Sequence, residues 1–223
     1  MDARAATVYV IDDELSVVRG LARLLEPEGY EVRAYTSADA FLLDHDPNLP
    51  GCVISDVLMP DMDGLELQRT LHAAGCQRAI IFITGQGEIS TAVAAMKAGA
   101  VTILQKPLTR IQLITAVKEA VAHDLRQRSI DEVRRGIEER LGQLTRRESE
   151  VLDLMASGLR NKQIAATLGI AEKTVKVHRG RVMAKMKATS LASLIALLAQ
   201  VSHPTFSRGV VHGDRPRREV AVV

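Results

Sequence analysis

The chain has 223 residues, of which 47% are hydrophobic and 25% charged, a composition that is typical of a globular protein and excludes a wholly disordered one. It has only two cysteines, and no apolar run approaches the ~20 residues that cross a bilayer, so we expect a cytoplasmic protein without a disulfide framework or a membrane span. Residues 1–108 carry eight basic and fifteen acidic side chains, whereas residues 109–223 carry 21 basic and 12 acidic ones. This asymmetry indicates either an acidic module joined to one that binds a polyanion or a chance clustering of solvated side chains, and charge alone does not decide between them.

Short β-branched runs alternate with amphipathic helical patterns through the first half of the chain. Helices that separate successive strands require βαβ crossovers. The pattern therefore predicts a parallel sheet with helices on both faces, a doubly wound α/β domain of about 120 residues. The five predicted strands are Thr7–Ile11, Glu31–Tyr35, 52–55, Ala79–Thr84 and 101–104.

Polar side chains stand at the carboxyl ends of four of these strands, where open α/β sheets carry their functional residues. Asp12 and Asp13 follow the first strand, Asp56 the third and Lys106 the fifth, and Thr84 ends the fourth. Each taken alone is more simply a polar group at the end of a strand. Together, the carboxylates favour Mg²⁺, and the lysine and the threonine can bind phosphoryl oxygens. The set predicts phosphoryl transfer to Asp56 as the nucleophile.

The motifs around these residues resemble the receiver domain of two-component response regulators. The resemblance covers residues 7 to about 122 and implies a flavodoxin-like fold, a parallel five-stranded sheet with strand order 2-1-3-4-5. The four motifs that carry it are VIDDE at 10–14, SDVLMPDMDG at 55–64, ITG at 83–85 and QKP at 105–107.

The resemblance implies a role for each carboxylate. Asp56 would accept a phosphoryl group from a phosphohistidine of a sensor histidine kinase. Asp13, Asp56 and the backbone carbonyl of Leu58 would hold Mg²⁺, and Asp12 would assist mostly through water.

Three further residues are implied to respond to the phosphoryl group. Lys106, whose bond to Pro107 is expected to be cis, would bind it, and Thr84 would move toward it and pull the following loop. Receivers usually carry Tyr or Phe three residues before the lysine as a rotating switch. That position is Ile103 in this chain, and an isoleucine can still swing but changes the buried apolar area by less than a ring would.

A phosphatase of the haloacid dehalogenase type is the enzymatic alternative, because it also uses an aspartyl nucleophile and Mg²⁺. Its motif places a second acid two residues after the nucleophile, to protonate the leaving group. Leu58 occupies that position, so no general acid is available and we predict that the protein is not an enzyme.

A helical pattern without proline continues from Thr109 to Leu141, past the expected end of a receiver. Its apolar stripe could pair with that of a second copy in a short coiled coil, or it could pack on this chain's own domains. A step of five residues between Leu125 and Ile130 breaks the heptad, so both alternatives stay open.

The last third predicts a helix-turn-helix unit. Thr145 and Glu148 form a capping-box pattern that opens a helix, and Asn161 is placed to cap the next helix, 162–168. A third helix at 172–186 and a fourth at 191–200 follow. Residues 143–202 hold ten basic and four acidic side chains, which suits DNA phosphates better than a merely solvated surface.

This unit resembles the LuxR/NarL/FixJ type of helix-turn-helix, and the whole chain is most similar to FixJ-type regulators. The third helix would enter the major groove. Ala171 stands where relatives usually carry a capping Ser, and Gly180 lies in the middle of that helix. The predicted base contacts are Lys176, Val177 and Arg181, and the predicted backbone contacts are Lys162, Thr174, His178, Arg179 and Lys185.

We therefore predict a response regulator transcription factor with a receiver at 1–122, a helical linker at 123–143, an all-α four-helix DNA-binding domain at 144–202 and a flexible tail at 203–223. The resemblance implies that phosphorylation favours a homodimer, through a surface near 91–104, and we expect this dimer to bind paired half-sites of double-stranded promoter DNA and to contact RNA polymerase. The alternative is a constitutive DNA-binding protein whose receiver serves only as an interaction module.

Overall fold

The computed structural model describes residues 6–85, 93 and 95–201. The chain divides into two compact units, with the boundary between Ser129 and Ile130. The predicted tail at 203–223 and residues 91, 92 and 94 of the surface predicted near 91–104 lie outside the described residues. Within the described part of the chain, no helix is long and apolar enough to cross a membrane.

The described residues of the N-terminal unit form a five-stranded parallel sheet. Its strand order is β2-β1-β3-β4-β5, which confirms the order implied by the resemblance. In register, Thr7 lies opposite Glu31 on one side and Gly51 on the other. The strands are β1 (Thr7–Ile11), β2 (Glu31–Tyr35), β3 (Gly51–Asp56), β4 (Ala79–Thr84) and β5 (Thr102–Gln105).

Helices cover both faces of this sheet. Successive side chains of a strand point to opposite faces, so each buried strand contributes apolar residues to both cores. The helices of this unit in the described residues are α1 (Leu15–Leu25), α2 (Ala38–Asp44), α3 (Gly64–Ala73) and the long helix α4 (Arg110–Gly142), which continues past it. One face packs Val10 and Ile54 against α1 and α4. The other face packs Tyr9 and Phe82 against α2 and α3.

Helix α4 runs without a break for 33 residues, as the sequence predicts. Its early stripe, including Val117 and Val121, is buried in the core of the N-terminal unit. Ile137, near its end, is buried in the core of the C-terminal unit. Between them, Ile130 and Val133 are 60% and 47% exposed. Most of the predicted stripe thus packs within the chain, and pairing with a second copy stays a prediction.

A buried charge anchors α4 to the start of β3. Asp124 is 2% exposed and accepts hydrogen bonds from the N–H of Gly51 at 3.0 Å and from Arg128 Nε at 2.6 Å. Arg128 also donates to the carbonyl oxygens of Asn48 and Pro47, at 2.9 and 2.8 Å. The segment before β3 and the helix are therefore joined by hydrogen bonds that span more than 70 residues of sequence.

The described residues of the C-terminal unit fold into helices around one apolar core, which includes Val151, Ile164, Val175 and Val182. After the end of α4 these helices are α5 (Arg146–Ala156), α6 (Asn161–Leu168), α7 (Glu172–Lys185) and α8 (Leu191–Leu198). The pair α6 and α7, joined across Gly169 in the left-handed conformation, is the predicted helix-turn-helix.

The capping prediction for α5 is confirmed and that for α6 is wrong. Thr145 and Glu148 form the complete reciprocal capping box. Asn161 is already the first residue of α6, and the N-cap is Arg160, whose N–H donates to Gln163 Oε1 at 2.8 Å. The helix therefore begins one residue earlier than predicted, and Gln163, not the capping side chain, satisfies a backbone N–H at its start.

Candidate acidic site and candidate nucleic-acid interface

The ends of β1 and β3 bring three carboxylates together. Asp12, Asp13 and Asp56 each offer an oxygen within 4.8 Å of the others. Asp12 is 1% exposed, whereas Asp13 is exposed and the Asp56 side chain is 13% exposed. The cluster therefore combines one buried, one partly buried and one exposed carboxylate.

Lys106, just past β5, lies between two of these carboxylates. Its Nζ donates to Asp56 Oδ2 at 2.5 Å and to Asp12 Oδ2 at 3.0 Å. Its backbone N–H donates to the carbonyl oxygen of Thr84 at 2.8 Å, and its bond to Pro107 is cis, as the resemblance implies. The lysine thus places a positive charge directly beside the predicted nucleophile.

Burial and ion pairing act against each other in this site. Burial raises the pKa of Asp12, and the hydrogen bonds from Lys106 and from the Glu14 N–H offset only part of that rise. Burial also disfavours the charge on Lys106, but hydrogen bonds to Asp56 and Asp12 outweigh it and raise the pKa of the lysine. The ammonium group is therefore protonated at neutral pH and holds the acidic site together.

Backbone groups orient the carboxylates as well. Leu58 N–H donates to Asp56 Oδ1 at 3.1 Å, and Glu14 N–H donates to Asp12 Oδ1 at 2.9 Å. The Leu58 side chain is 61% exposed and supplies no acid at the position that a phosphatase would need.

A glycine that sequence reasoning did not assign to the site is required behind it. A Cβ on Gly64 would lie 2.5 Å from the Asp56 carbonyl oxygen and 2.8 Å from Phe82 Cε1. Asp63 caps the helix that begins there, accepting from Glu66 N–H at 2.7 Å. The Asp-Gly pair at the end of the second motif therefore lets α3 start directly against the strand that carries Asp56.

The two predicted switch residues lie on neighbouring strands. Thr84 ends β4 and is 7% exposed. Ile103 on β5 is half-buried and packs against the core face that contains Phe82. Residues 86–92, which follow Thr84 closely, lie outside the described part of the chain.

Helix α7 presents the predicted base-contact residues to solvent. Lys176, Val177 and Arg181 are exposed, and Val177, an apolar side chain, is 48% exposed on an otherwise basic surface. Of the predicted backbone contacts, Lys162 and Thr174 are exposed, while His178 and Arg179 are half-buried.

A cavity of about 520 Å³ lies at the start of α6 and brings two of the predicted backbone contacts together with a third basic residue. Lys162 and Arg179 both line it, and so does Arg160, which sequence reasoning missed. The signal for Arg160 was available in its position beside the first turn of α6, where backbone N–H groups and basic side chains suit a phosphate. The full lining is Gly158, Leu159, Arg160, Asn161, Lys162, Glu172, Arg179 and Leu191.

Two other features of α7 bear on the predicted surface. Ala171 is the N-cap and makes no side-chain cap bond, as expected. Lys185 differs from the rest of the predicted set, because its Nζ donates to the nearly buried Glu148 at 2.6 Å and to the Gln143 carbonyl oxygen at 3.0 Å. Its ammonium group is therefore occupied within the C-terminal unit.

Comparisons with known families match both parts of the chain. Residues 8–118 match the response regulator receiver domain, and residues 142–198 match the bacterial regulatory proteins of the luxR family. Receiver domains bind Mg²⁺ in general, and the oxygen-only cluster of Asp12, Asp13 and Asp56 suits that ion.

Curated relatives match over most of the chain. The transcriptional regulatory protein FixJ of Azorhizobium caulinodans is 44% identical over 87% of this chain and 93% of its own length. The response regulator protein TodT of Pseudomonas putida is 41% identical over 87% of this chain and 86% of its own length.

Two solved structures of response regulators are similar to this chain over most of its length. The response regulator StyR is 42% identical, covers 88% of this chain and 99% of its own, and has a TM-score of 0.78. Full-length FixJ from B. japonicum is 37% identical, covers 87% of this chain and 96% of its own, and has a TM-score of 0.54. These domains imply a kinase partner and DNA binding, and the family consists of transcriptional regulators, not enzymes. The chain belongs to the FixJ family of two-component response regulators, transcription factors with a receiver domain and a LuxR-type DNA-binding domain.

Proposed function

We propose that Asp56 is the phosphoacceptor of this regulator and that its phosphorylation controls DNA binding by the C-terminal unit. The observation that carries the proposal is the pairing of Lys106 Nζ with Asp56 Oδ2 at 2.5 Å, within a cluster of three carboxylates. A cation held beside the nucleophile is placed to meet the charge that develops on a transferring phosphoryl group.

The transfer forms one bond and breaks another. A carboxylate oxygen of Asp56 attacks the phosphorus of a phosphohistidine on the sensor kinase, the P–N bond breaks, and the imidazole leaves as the new P–O bond forms. The product is an acyl phosphate, with Lys106 paired to its phosphoryl oxygens. The N–H of Leu58 holds the carboxylate in place as it reacts.

Asp13, Asp56 and the Leu58 carbonyl oxygen would hold Mg²⁺, with Asp12 assisting mostly through water. When bound, the ion neutralises charge on the phosphoryl oxygens. Asp12 and Lys106 already form a pair at 3.0 Å, so this chain keeps its buried carboxylate compensated independently of the ion.

The phosphoryl group adds about −1.5 to −2 of charge at the edge of the sheet. We infer that Thr84 moves toward that charge and that Ile103 repacks as the loop after β4 follows. The resulting surface near 91–104 forms a homodimer, which raises DNA affinity because two linked DNA-binding domains bind paired half-sites. Contact with RNA polymerase then follows at the promoter.

The DNA surface is the exposed side of α7 with the start of α6. Lys176 and Arg181 donate to base edges and Val177 contacts a thymine methyl group. Thr174 and His178 bind the DNA backbone together with the three basic residues that line the cavity, Arg160, Lys162 and Arg179.

Radiolabelled acetyl phosphate tests the phosphoacceptor. The purified full-length chain is incubated with the donor and Mg²⁺, and we expect a hydroxylamine-sensitive label on Asp56 that Asp56→Asn lacks. The same donor should increase DNA binding by the wild type and not by the variant. An unlabelled wild-type chain, or equal stimulation of both proteins, contradicts the proposal and favours a constitutive DNA-binding protein.

A further inference from the structure

The C-terminal end of α7 is held by contacts that face the protein. Lys185 Nζ donates to Glu148 Oε2 at 2.6 Å, in the first turn of α5, and to the carbonyl oxygen of Gln143 at 3.0 Å, just past the end of α4. One ammonium group therefore joins α7 to α5 and to the backbone that follows the long helix.

Glu148 gives this contact its strength. Its side chain is 3% exposed, and the same Oε2 accepts the N–H of Thr145 at 2.9 Å. The hydrogen bond from Lys185, followed by that from Thr145, lowers the pKa of Glu148 to about 2. The carboxylate is thus ionised under physiological conditions, and removing its cation would leave a nearly buried charge with the Thr145 N–H but without a counter-charge.

Arg140 makes a second contact at the same end. Its Nη1 donates to the carbonyl oxygen of Met186 at 3.1 Å, and its Nε donates to the carbonyl oxygen of Gly136 at 2.7 Å. Met186 is the C-cap of α7, where backbone carbonyls lack partners within the helix. The opposite end of α7 begins at Ala171, which offers no side-chain cap. The helix is therefore tied at its C-terminal end.

We propose that Lys185 and Arg140 are positioning residues for DNA recognition: they fix the C-terminal end of α7 to α5 and to the end of the long helix, and so set where Lys176, Val177 and Arg181 meet the bases. The inference rests on the proposed DNA surface. It gives Lys185 a positioning role in place of the contact with the DNA backbone that the sequence predicts. Lys176 and Lys185 are nine residues apart on one helix, a separation of ~14 Å along its axis. A tilt of the helix at Lys185 therefore also moves the residues that contact the bases. Base recognition tolerates little displacement of this kind.

A positioning residue and a phosphate contact respond differently to salt. A lost phosphate contact weakens binding to every duplex and reduces the slope of log affinity against log salt by about one. A lost positioning contact weakens binding to the selected sequence and leaves the slope unchanged. Discrimination between sequences, measured with the slope, therefore separates the two roles.

The test measures binding of the full-length chain to two duplexes over a series of potassium chloride concentrations. One duplex is selected by the wild-type chain from a random pool, and the other is a scramble of it. For Lys185→Gln we expect about tenfold weaker binding to the selected duplex, the cost of one poorly read base pair, with the scramble and the slope unchanged. Lys162→Gln is the matched control and should weaken both duplexes and reduce the slope by about one.

Three further variants, Glu148→Gln, Arg140→Gln and Lys185→Arg, keep the test decisive if Lys185→Gln does not fold. Glu148→Gln keeps an acceptor for Thr145 but loses its charge, and because Glu148 is nearly buried its effect cannot come from touching DNA. Lys185→Arg keeps the charge and should restore discrimination. A slope reduced by about one in Lys185→Gln, or unchanged discrimination in Glu148→Gln and Arg140→Gln, overturns the inference. An unchanged slope in the Lys162→Gln control would contradict the proposed DNA surface and not the positioning role, so the two failures are distinguishable.

Discussion

The acidic edge of the N-terminal unit and the basic surface of the C-terminal unit are built in opposite ways. At the edge, strand ends bring Asp12 and Lys106 together from 94 residues apart, and each charge is paired before any ligand arrives. On the surface, Lys176 and Arg181 come from one helix and point into solvent. The first site is preorganised by the sheet, whereas the second leaves its charges to be neutralised by its partner.

Removal of the Lys106 ammonium group tests this preorganisation and has the largest expected effect. Lys106→Met should slow labelling of Asp56 by acetyl phosphate about 10²- to 10³-fold, because the charge that meets the phosphoryl group is lost. The measurement is the initial rate of label incorporation. Lys118→Met, at a lysine whose side chain is 63% exposed, is the control and should label at the wild-type rate. Equal rates in both variants would contradict the role given to Lys106.

A substitution at Gly51 tests how far the acidic site depends on the packing of the strands that carry it. Gly51 has a φ of 151°, and a Cβ there would lie 1.8 Å from the carbonyl oxygen of Thr7. Gly51→Ala should therefore destabilise the N-terminal unit by about 3 kcal/mol or more. All three tyrosines of the chain lie within residues 9–35, so denaturation followed by tyrosine fluorescence reports this unit.

The control for that substitution is Gly20→Ala in α1, where a Cβ meets nothing within 4 Å. It should stabilise the same unit by roughly 0.5–1 kcal/mol, because alanine favours a helix. Similar losses in both variants would show that the close approach at Gly51 is not what limits the sheet.

The buried carboxylate of the C-terminal unit predicts a pH dependence. Because Lys185 and then Thr145 hold the pKa of Glu148 at about 2, against an ordinary value of 4.5, the folded state binds its proton less tightly than the unfolded state does. Its contribution to stability should be complete above pH 4.5 and should be lost as the pH falls toward 2. Hydrogen exchange of α5 amides in the wild type and in Glu148→Gln measures this, and the variant should lack the dependence across that interval. An identical acid profile in both proteins would contradict it.

The smallest expected effect lies at the start of α7. Ala171→Ser supplies a hydroxyl at the N-cap and should stabilise the C-terminal unit by about 0.5–1 kcal/mol. The measurement is slower hydrogen exchange at the first turn of α7 in the free protein. Ala171→Val is the matched control, since valine adds no side-chain acceptor and is as poor an N-cap as alanine. Unchanged exchange in the serine variant would show that this end of the helix does not depend on capping.

The sequence predicted the acidic site well because a topological rule places its members. Once five parallel strands are assigned, the residues at their carboxyl ends must share one edge, and Asp12, Asp56 and Lys106 do so. The strand order was implied by the family resemblance, and the unbroken helix followed from the helical periodicity of its apolar residues.

Two side chains whose contacts sequence reasoning did not anticipate have partners that lie far away along the chain. Lys185 carries the same charge as its exposed neighbours, and nothing local shows that it meets Glu148, 37 residues earlier. Asp124 likewise resembles any acidic residue on a helix, although its carboxylate binds the N–H of Gly51. Periodicity gives the face of a helix on which a residue lies but not the backbone group it will contact.

The anchor at Asp124 has a practical consequence for dividing the protein. A receiver fragment cut at residue 122, the end expected from family resemblance, would lose both Asp124 and Arg128. The amide of Gly51 and the carbonyls of Pro47 and Asn48 would then lose their partners at the point where β3 begins. A fragment that ends at Ser129 keeps them all and is the one to express when the receiver is studied alone.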